Sequence, residues 1–179
     1  MINFKPFVGS NYYNSIYGVK VLVLALSHYG SDESNYPNYT IDVVHEHAYK
    51  KGLAFFTKLT KVLRLSVDYP TDDERKSAWR NVAFYNYVQE IVSDEARVDP
   101  TKEMLDNAIE PFIAVYNELK PDVILVLGNL VWDNVPNLKG VEFCYISHPS
   151  SSALKYEEAF NDFKQHIEKA KQSINRKEC

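Results

Sequence analysis

Val19-Lys20-Val21-Leu22-Val23-Leu24-Ala25-Leu26 is an apolar run broken only by Lys20. Its length and its Val/Leu content predict a strand buried on both faces, as in a parallel sheet. Two further runs share that character, Asp122 to Leu127 (DVILVL) and Val141 to Ile146 (VEFCYI). Trp79 to Val88 (WRNVAFYNYV) mixes β-branched and aromatic residues and predicts another strand, ending at Asn86 or just past it. Helical spacing fills the intervals. Ile41 to Leu65 repeats Val44, Ala48, Phe55, Leu59 and Val62, with Gly52 weakening its middle. Pro100 and Thr101 open a second helix that runs to Leu119, which Pro111 kinks or divides. A short helix reaches Asn134, and Lys155 to Ile174 closes the chain with Phe160, Phe163 and Ile167 on one side. Ser27 to Tyr39 reads as a long polar loop, and Tyr69 to Glu74 as a turn with an N-cap. Strands alternating with helices predict an α/β fold: a three-layer α/β/α sandwich around a mostly parallel four-stranded sheet, forming one domain over residues 1–179.

Composition narrows the function classes. Apolar residues make up 45% and charged residues 25%, the balance of a soluble globular protein. No apolar run approaches the ~20 residues that span a bilayer, so no membrane partner is expected. Met1 to Ser10 holds one lysine and no long apolar stretch, unlike a secretory signal. Of the two cysteines, Cys144 falls in a core strand and Cys179 is the last residue, so neither a disulfide between them nor a four-cysteine metal site is expected. A reducing, cytoplasmic setting follows from that cysteine usage. The net charge of -4 argues against tight non-specific binding of DNA. It leaves room for a local basic face, and Lys50, Lys51, Lys58, Lys61 and Arg64 supply one in a single segment. Thirteen tyrosines either fill amphipathic positions or offer stacking faces near a site.

Chemistry-bearing residues gather where strands end. The first strand runs into Ser27-His28-Tyr29-Gly30, the second into Asn86, the third into Gly128-Asn129 and the fourth into His148-Pro149-Ser150-Ser151-Ser152. In a parallel sheet these points converge on one edge, where ligands bind beside helix amide ends.

The order and spacing of these motifs resemble the uracil-DNA glycosylase superfamily, most closely at 122–129 (DVILVLGN) and 147–152 (SHPSSS), with the layout matching over residues 5–170. The resemblance implies recognition, and hydrolytic excision, of a uracil-like or modified base flipped out of DNA, with no cofactor. His148 would hydrogen-bond the leaving base and stabilise its developing charge. Ser150 and Ser151 would bind backbone phosphates, Asn86 would read the base edge, and Phe55 or Phe56 would stack on the base. Tyr29 matches the tyrosine with which some members wall off the base, and the Leu-Gly turn at Gly128-Asn129 matches the third motif. The chain departs from the family at its first motif. Most members place an acid or amide there to position water; here Ala25-Leu26-Ser27-His28 stands in that place. Ser27, or His28 as a substitute, is then the candidate water-positioning group.

Blander roles compete at each position. Asn86 suits a turn or helix cap as well as base reading, His148 suits a loop histidine bound to backbone, and one of Phe55 and Phe56 is expected in the core. Asp42, His45 and His47 form a ligand-like cluster that His28 would have to approach, but on a helix 45 and 47 diverge. No G-x-S-x-G elbow supports a serine hydrolase. The rival from another class is a glycosylase-shaped module that binds nucleic acid, a nucleotide or a protein without chemistry.

Overall fold

The computed structural model describes residues 2–95 and 98–178, with the side chains of Asp32, Lys177 and Glu178 left aside. The sheet has five strands: β1 (Phe7–Val8), β2 (Val21–Ala25), β3 (Val82–Asn86), β4 (Val123–Leu127) and β5 (Glu142–Ile146), in the order β1-β3-β2-β4-β5. β3, β2, β4 and β5 run parallel. β1 is antiparallel to β3, pairing Phe7 with Phe84 and Val8 with Ala83. The four-stranded sheet expected from sequence thus gains an edge strand. Two residues are too few to give a periodic signal, so only the pairing reveals it.

Among the described residues, seven α-helices flank the sheet: α1 (Tyr39–His47), α2 (Ala54–Arg64), α3 (Asp72–Trp79), α4 (Lys102–Asn107), α5 (Ile109–Leu119), α6 (Asn129–Trp132) and α7 (Tyr156–Glu178). Alternate residues of each central strand face opposite layers, as the two-residue period of a strand requires. Val21, Val23, Val123 and Leu125 pack with Val44, Leu59, Trp79 and Phe163 of α1, α2, α3 and α7. Leu22, Leu24, Ile124 and Val126 pack with Leu105, Phe112, Val115 and Val131 of α4, α5 and α6. Every residue of β2, β3 and β4 is buried, which is why β2 and β4 read as continuous apolar runs, while β3 ends in the buried polar Asn86.

Three expected elements differ in detail. The single helix over 41–65 is two helices, because the chain folds back at Gly52 so tightly that a Cβ there would lie 2.8 Å from His47 Cα. Trp79 belongs to α3, not to the second strand. A capping box starts that helix: Thr71 Oγ1 accepts the Glu74 N–H at 3.3 Å, and Glu74 Oε2 accepts the Thr71 N–H at 2.8 Å. The helix then carries Trp79 into the core, where Nε1 donates to Thr60 Oγ1 at 2.9 Å. The helix over 101–119 divides at Ala108, ahead of Pro111. Pro111 therefore sits in the first turn of α5, where its missing N–H leaves no intrahelical bond unmade.

Among the described residues, no helix is long and apolar enough to cross a membrane. Cys144 is buried and free. Its expected lack of pairing with Cys179 lies outside the described residues.

Candidate functional site at the carboxyl edge

Parallel register brings the strand ends together. Ala25 is level with Asn86, Leu24 with Val126, and Leu127 with Ile146, so the segments after β2, β3, β4 and β5 emerge on one edge. Two clusters form there.

The first joins β2 and β3 to the start of α1. After β2 the chain stays beside the segment after β3, with His28 bridging Ile91 and the Gly30 N–H donating to Ser93 O at 3.0 Å. His28 is 5% exposed, which overturns its expected place in an open polar loop. Asn86 Nδ2 donates to His28 Nε2 at 2.9 Å, and the Thr40 hydroxyl lies 2.7 Å from the same nitrogen. The Phe4 ring meets His28 edge-on, with centroids 5.1 Å apart. Burial lowers the His28 pKa from 6.5 to about 4, so the ring is neutral. Gln89 secures the corner: its Nε2 donates to Asn86 O at 2.8 Å, and its Oε1 accepts the Phe4 N–H at 2.9 Å. Ser27 Oγ is enclosed and has no hydrogen-bond partner among the described residues. It makes no contact of the nucleophile–base kind with His28, whose ring is turned to Asn86 and Thr40. Tyr29 is half-buried, its hydroxyl donating to Val98 O at 3.3 Å and its carbonyl accepting from Tyr39 at 3.1 Å.

The second cluster joins β4 and β5 to the start of α2. The Ser150 N–H donates to His148 Nδ1 at 3.1 Å, so Nδ1 is an acceptor and the neutral ring keeps its proton on Nε2. Partial burial, and then the charge of Lys58, lower the His148 pKa. Phe55 faces this ring, with centroids 5.3 Å apart and planes inclined by 38°. Phe56 does not: it is buried among Trp79 and Phe84, so of the two phenylalanines only Phe55 faces the histidine. Gly128 has φ 89° and ψ 163°, a region closed to other residues. A Cβ on it would lie 3.0 Å from His148 Cβ, so the end of β4 is a bare floor beside the histidine. Asn129 is exposed and its Oδ1 accepts the Tyr145 hydroxyl. Ser150 is exposed, and Ser151 Oγ accepts the Ala153 N–H at 3.1 Å.

Within the sheet, β4 lies between β2 and β5, so the two clusters are set two strand spacings apart, about 10 Å. One open cavity of about 370 Å³ adjoins the first cluster, lined by Gly30, Ser31, Ile91, Ser93 and Asp94. A second of about 310 Å³ adjoins the other, lined by Asn129, Trp132 and Tyr145. Thr40 and Gln89 take part without having been singled out from sequence, and Lys58, expected only as one cation of a basic face, acts on His148. Each sits on a neighbouring element, and no local motif marks it.

The ligand-like trio disperses. Asp42 Oδ2 accepts the Tyr36 hydroxyl at 3.0 Å, His45 stacks on Tyr49 at 4.9 Å, and His47 stacks on Phe56 at 6.3 Å. Among the described residues, no three His, Cys, Asp or Glu side chains are grouped to hold a metal. Comparison with known proteins finds no family model that matches the chain and no curated protein similar to it.

Proposed function

We propose that the protein recognises a uracil-like or modified base of DNA at the carboxyl edge of the sheet and excises it by hydrolysis, with His148 as donor to the leaving base. One observation carries this reading: the Ser150 amide occupies Nδ1 of His148, leaving an N–H on Nε2. Breaking an N-glycosidic bond leaves an electron pair on the base, and a fixed N–H donor stabilises that charge as it develops. Water gives its hydroxyl to the sugar carbon and its proton to the base, so the chemistry calls for no cofactor. Phe55 offers a ring against which a base can rest, and Gly128 lets the base approach the backbone. Exposed Ser150 suits a phosphate contact. The order of motifs resembling the uracil-DNA glycosylase superfamily adds to the case.

A second reading, a base-binding module without hydrolysis, is favoured by the other cluster. Nε2 of His28 is engaged by Asn86 and Thr40, and Ser27 Oγ is enclosed. The group that would hold the attacking water is therefore committed elsewhere.

Oligonucleotides carrying uracil, hypoxanthine, xanthine or 5-hydroxymethyluracil, single- and double-stranded, decide between the two when alkali-labile abasic sites are scored. Excision by the wild type that His148→Ala abolishes supports the glycosylase. Binding without excision, weakened by substituting Ser150, supports the module. Absence of both rejects the nucleic-acid reading.

A further inference from the structure

Away from the strand ends, an exposed ring is surrounded by cations. Tyr69 is 57% exposed, and Lys51 Nζ, Lys61 Nζ and the Arg75 guanidinium carbon lie 5.8, 5.9 and 5.4 Å from its ring centroid. Lys61 Nζ is also 5.5 Å from the centroid of Tyr156, at the start of α7. Lys58, one turn earlier on α2, is the cation whose charge acts on His148. Basic and aromatic side chains therefore recur along α2 and beside it: Lys58 acts on His148, Lys61 lies by Tyr156 and Tyr69, and Lys51 lies by Tyr69.

Arg75 makes this region unusual. It is fully buried; its Nη2 donates to Thr57 Oγ1 at 3.1 Å, while Nε and Nη1 have no partner among the described residues. A buried cation without a counter-charge is costly to keep. Asp68, Asp72 and Asp73 lie on the loop and helix start around Tyr69, but among the described residues none pairs with Lys51, Lys61 or Arg75. Positive charge is thus left beneath and around an exposed aromatic face.

We propose that this track binds the single-stranded nucleic-acid segment flanking the nucleotide held at His148, with a base stacked on Tyr69 and phosphates on Lys51 and Lys61. The inference rests on the nucleic-acid reading above and adds to it a path and a strand preference. Aromatic faces alternating with cations match a strand whose bases are unstacked, because every base has a face to stack and every linkage a charge. A closed duplex offers the charges without a free base face.

Fluorescence anisotropy with a labelled oligothymidylate tests the path. Tyr69→Ala weakens binding about tenfold and Tyr69→Phe retains it, since stacking needs the ring and not the hydroxyl. Lys61→Ala lowers the slope of log affinity against log salt by about 0.7, the loss of one phosphate contact. A duplex of the same length binds less tightly than the single strand. Circular dichroism and melting of Tyr69→Ala, whose ring lies at the surface, verify that the fold is intact. Binding that survives Tyr69→Ala and Lys61→Ala unchanged overturns the track while leaving the His148 site standing. Competition by polyglutamate equal to that of the oligonucleotide overturns base stacking. No binding by the wild type overturns this inference; whether the site reading falls with it is decided separately by the excision assay.

Discussion

The side-chain amide of Asn86 donates to the imidazole of His28 over 2.9 Å, tying the end of β3 to the end of β2 inside the protein. Two residues 58 positions apart thereby satisfy each other's polar atoms in a place where water does not reach either freely. Burial keeps the His28 ring neutral, and that bond engages its Nε2, which decides what the first cluster can contribute.

His28 links stability to pH. Its pKa falls from 6.5 to about 4 on folding, so between these values the unfolded chain binds the proton that the folded one refuses. Stability from this group is complete above pH 6.5 and is lost as pH drops toward 4, by about 3 kcal/mol in all. Urea unfolding at pH 7 and pH 5 measures the loss. His28→Gln is expected to flatten the difference, and an unchanged pH dependence in that variant would show that another group is responsible.

His148 should respond to Lys58. Burial and the lysine charge both hold the ring below the ordinary histidine range, so Lys58→Met is expected to raise its pKa. The neutral ring present at pH 7 then persists on acidification to a lower pH in the wild type than in the variant. Titration of the His148 ring proton by NMR reads both curves, and identical midpoints would remove Lys58 from the site.

Gly128 is a test of the floor. Alanine at φ 89° and ψ 163° is strained, and its Cβ would press on His148 Cβ at 3.0 Å. Gly128→Ala is expected to cost about 2–3 kcal/mol of stability. It should also displace the His148 resonances, whereas a stable variant with His148 unmoved would refute the contact.

Thr71 tests the start of α3. Removing its hydroxyl by Thr71→Ala breaks the reciprocal bonds with Glu74 and is expected to cost about 1 kcal/mol. Chemical denaturation checks this.

Much of the frame was legible along the chain. Val21–Ala25 and Val123–Leu127 announce themselves because central strands are buried on both faces, which favours runs of Val, Leu and Ile. Phe7–Val8 gives no such notice, since an edge pair of two residues owes its form to β3 beside it. Gly52 was visible as a weak point within a helix; that the chain turns back there follows from its contact with His47.

Which residues stand at the strand ends was legible along the chain, because burial on two faces favours apolar runs and polar residues gather where those runs stop. Their partners were set by the fold in space. His28 meets Asn86 and Thr40, His148 meets Phe55 and Gly128, and Phe56 turns inward to Trp79. Hydrogen bonds and ring contacts act over a few ångströms of space and are indifferent to separation along the chain. Strand order, which no local pattern encodes, therefore sets which chemistry is brought together.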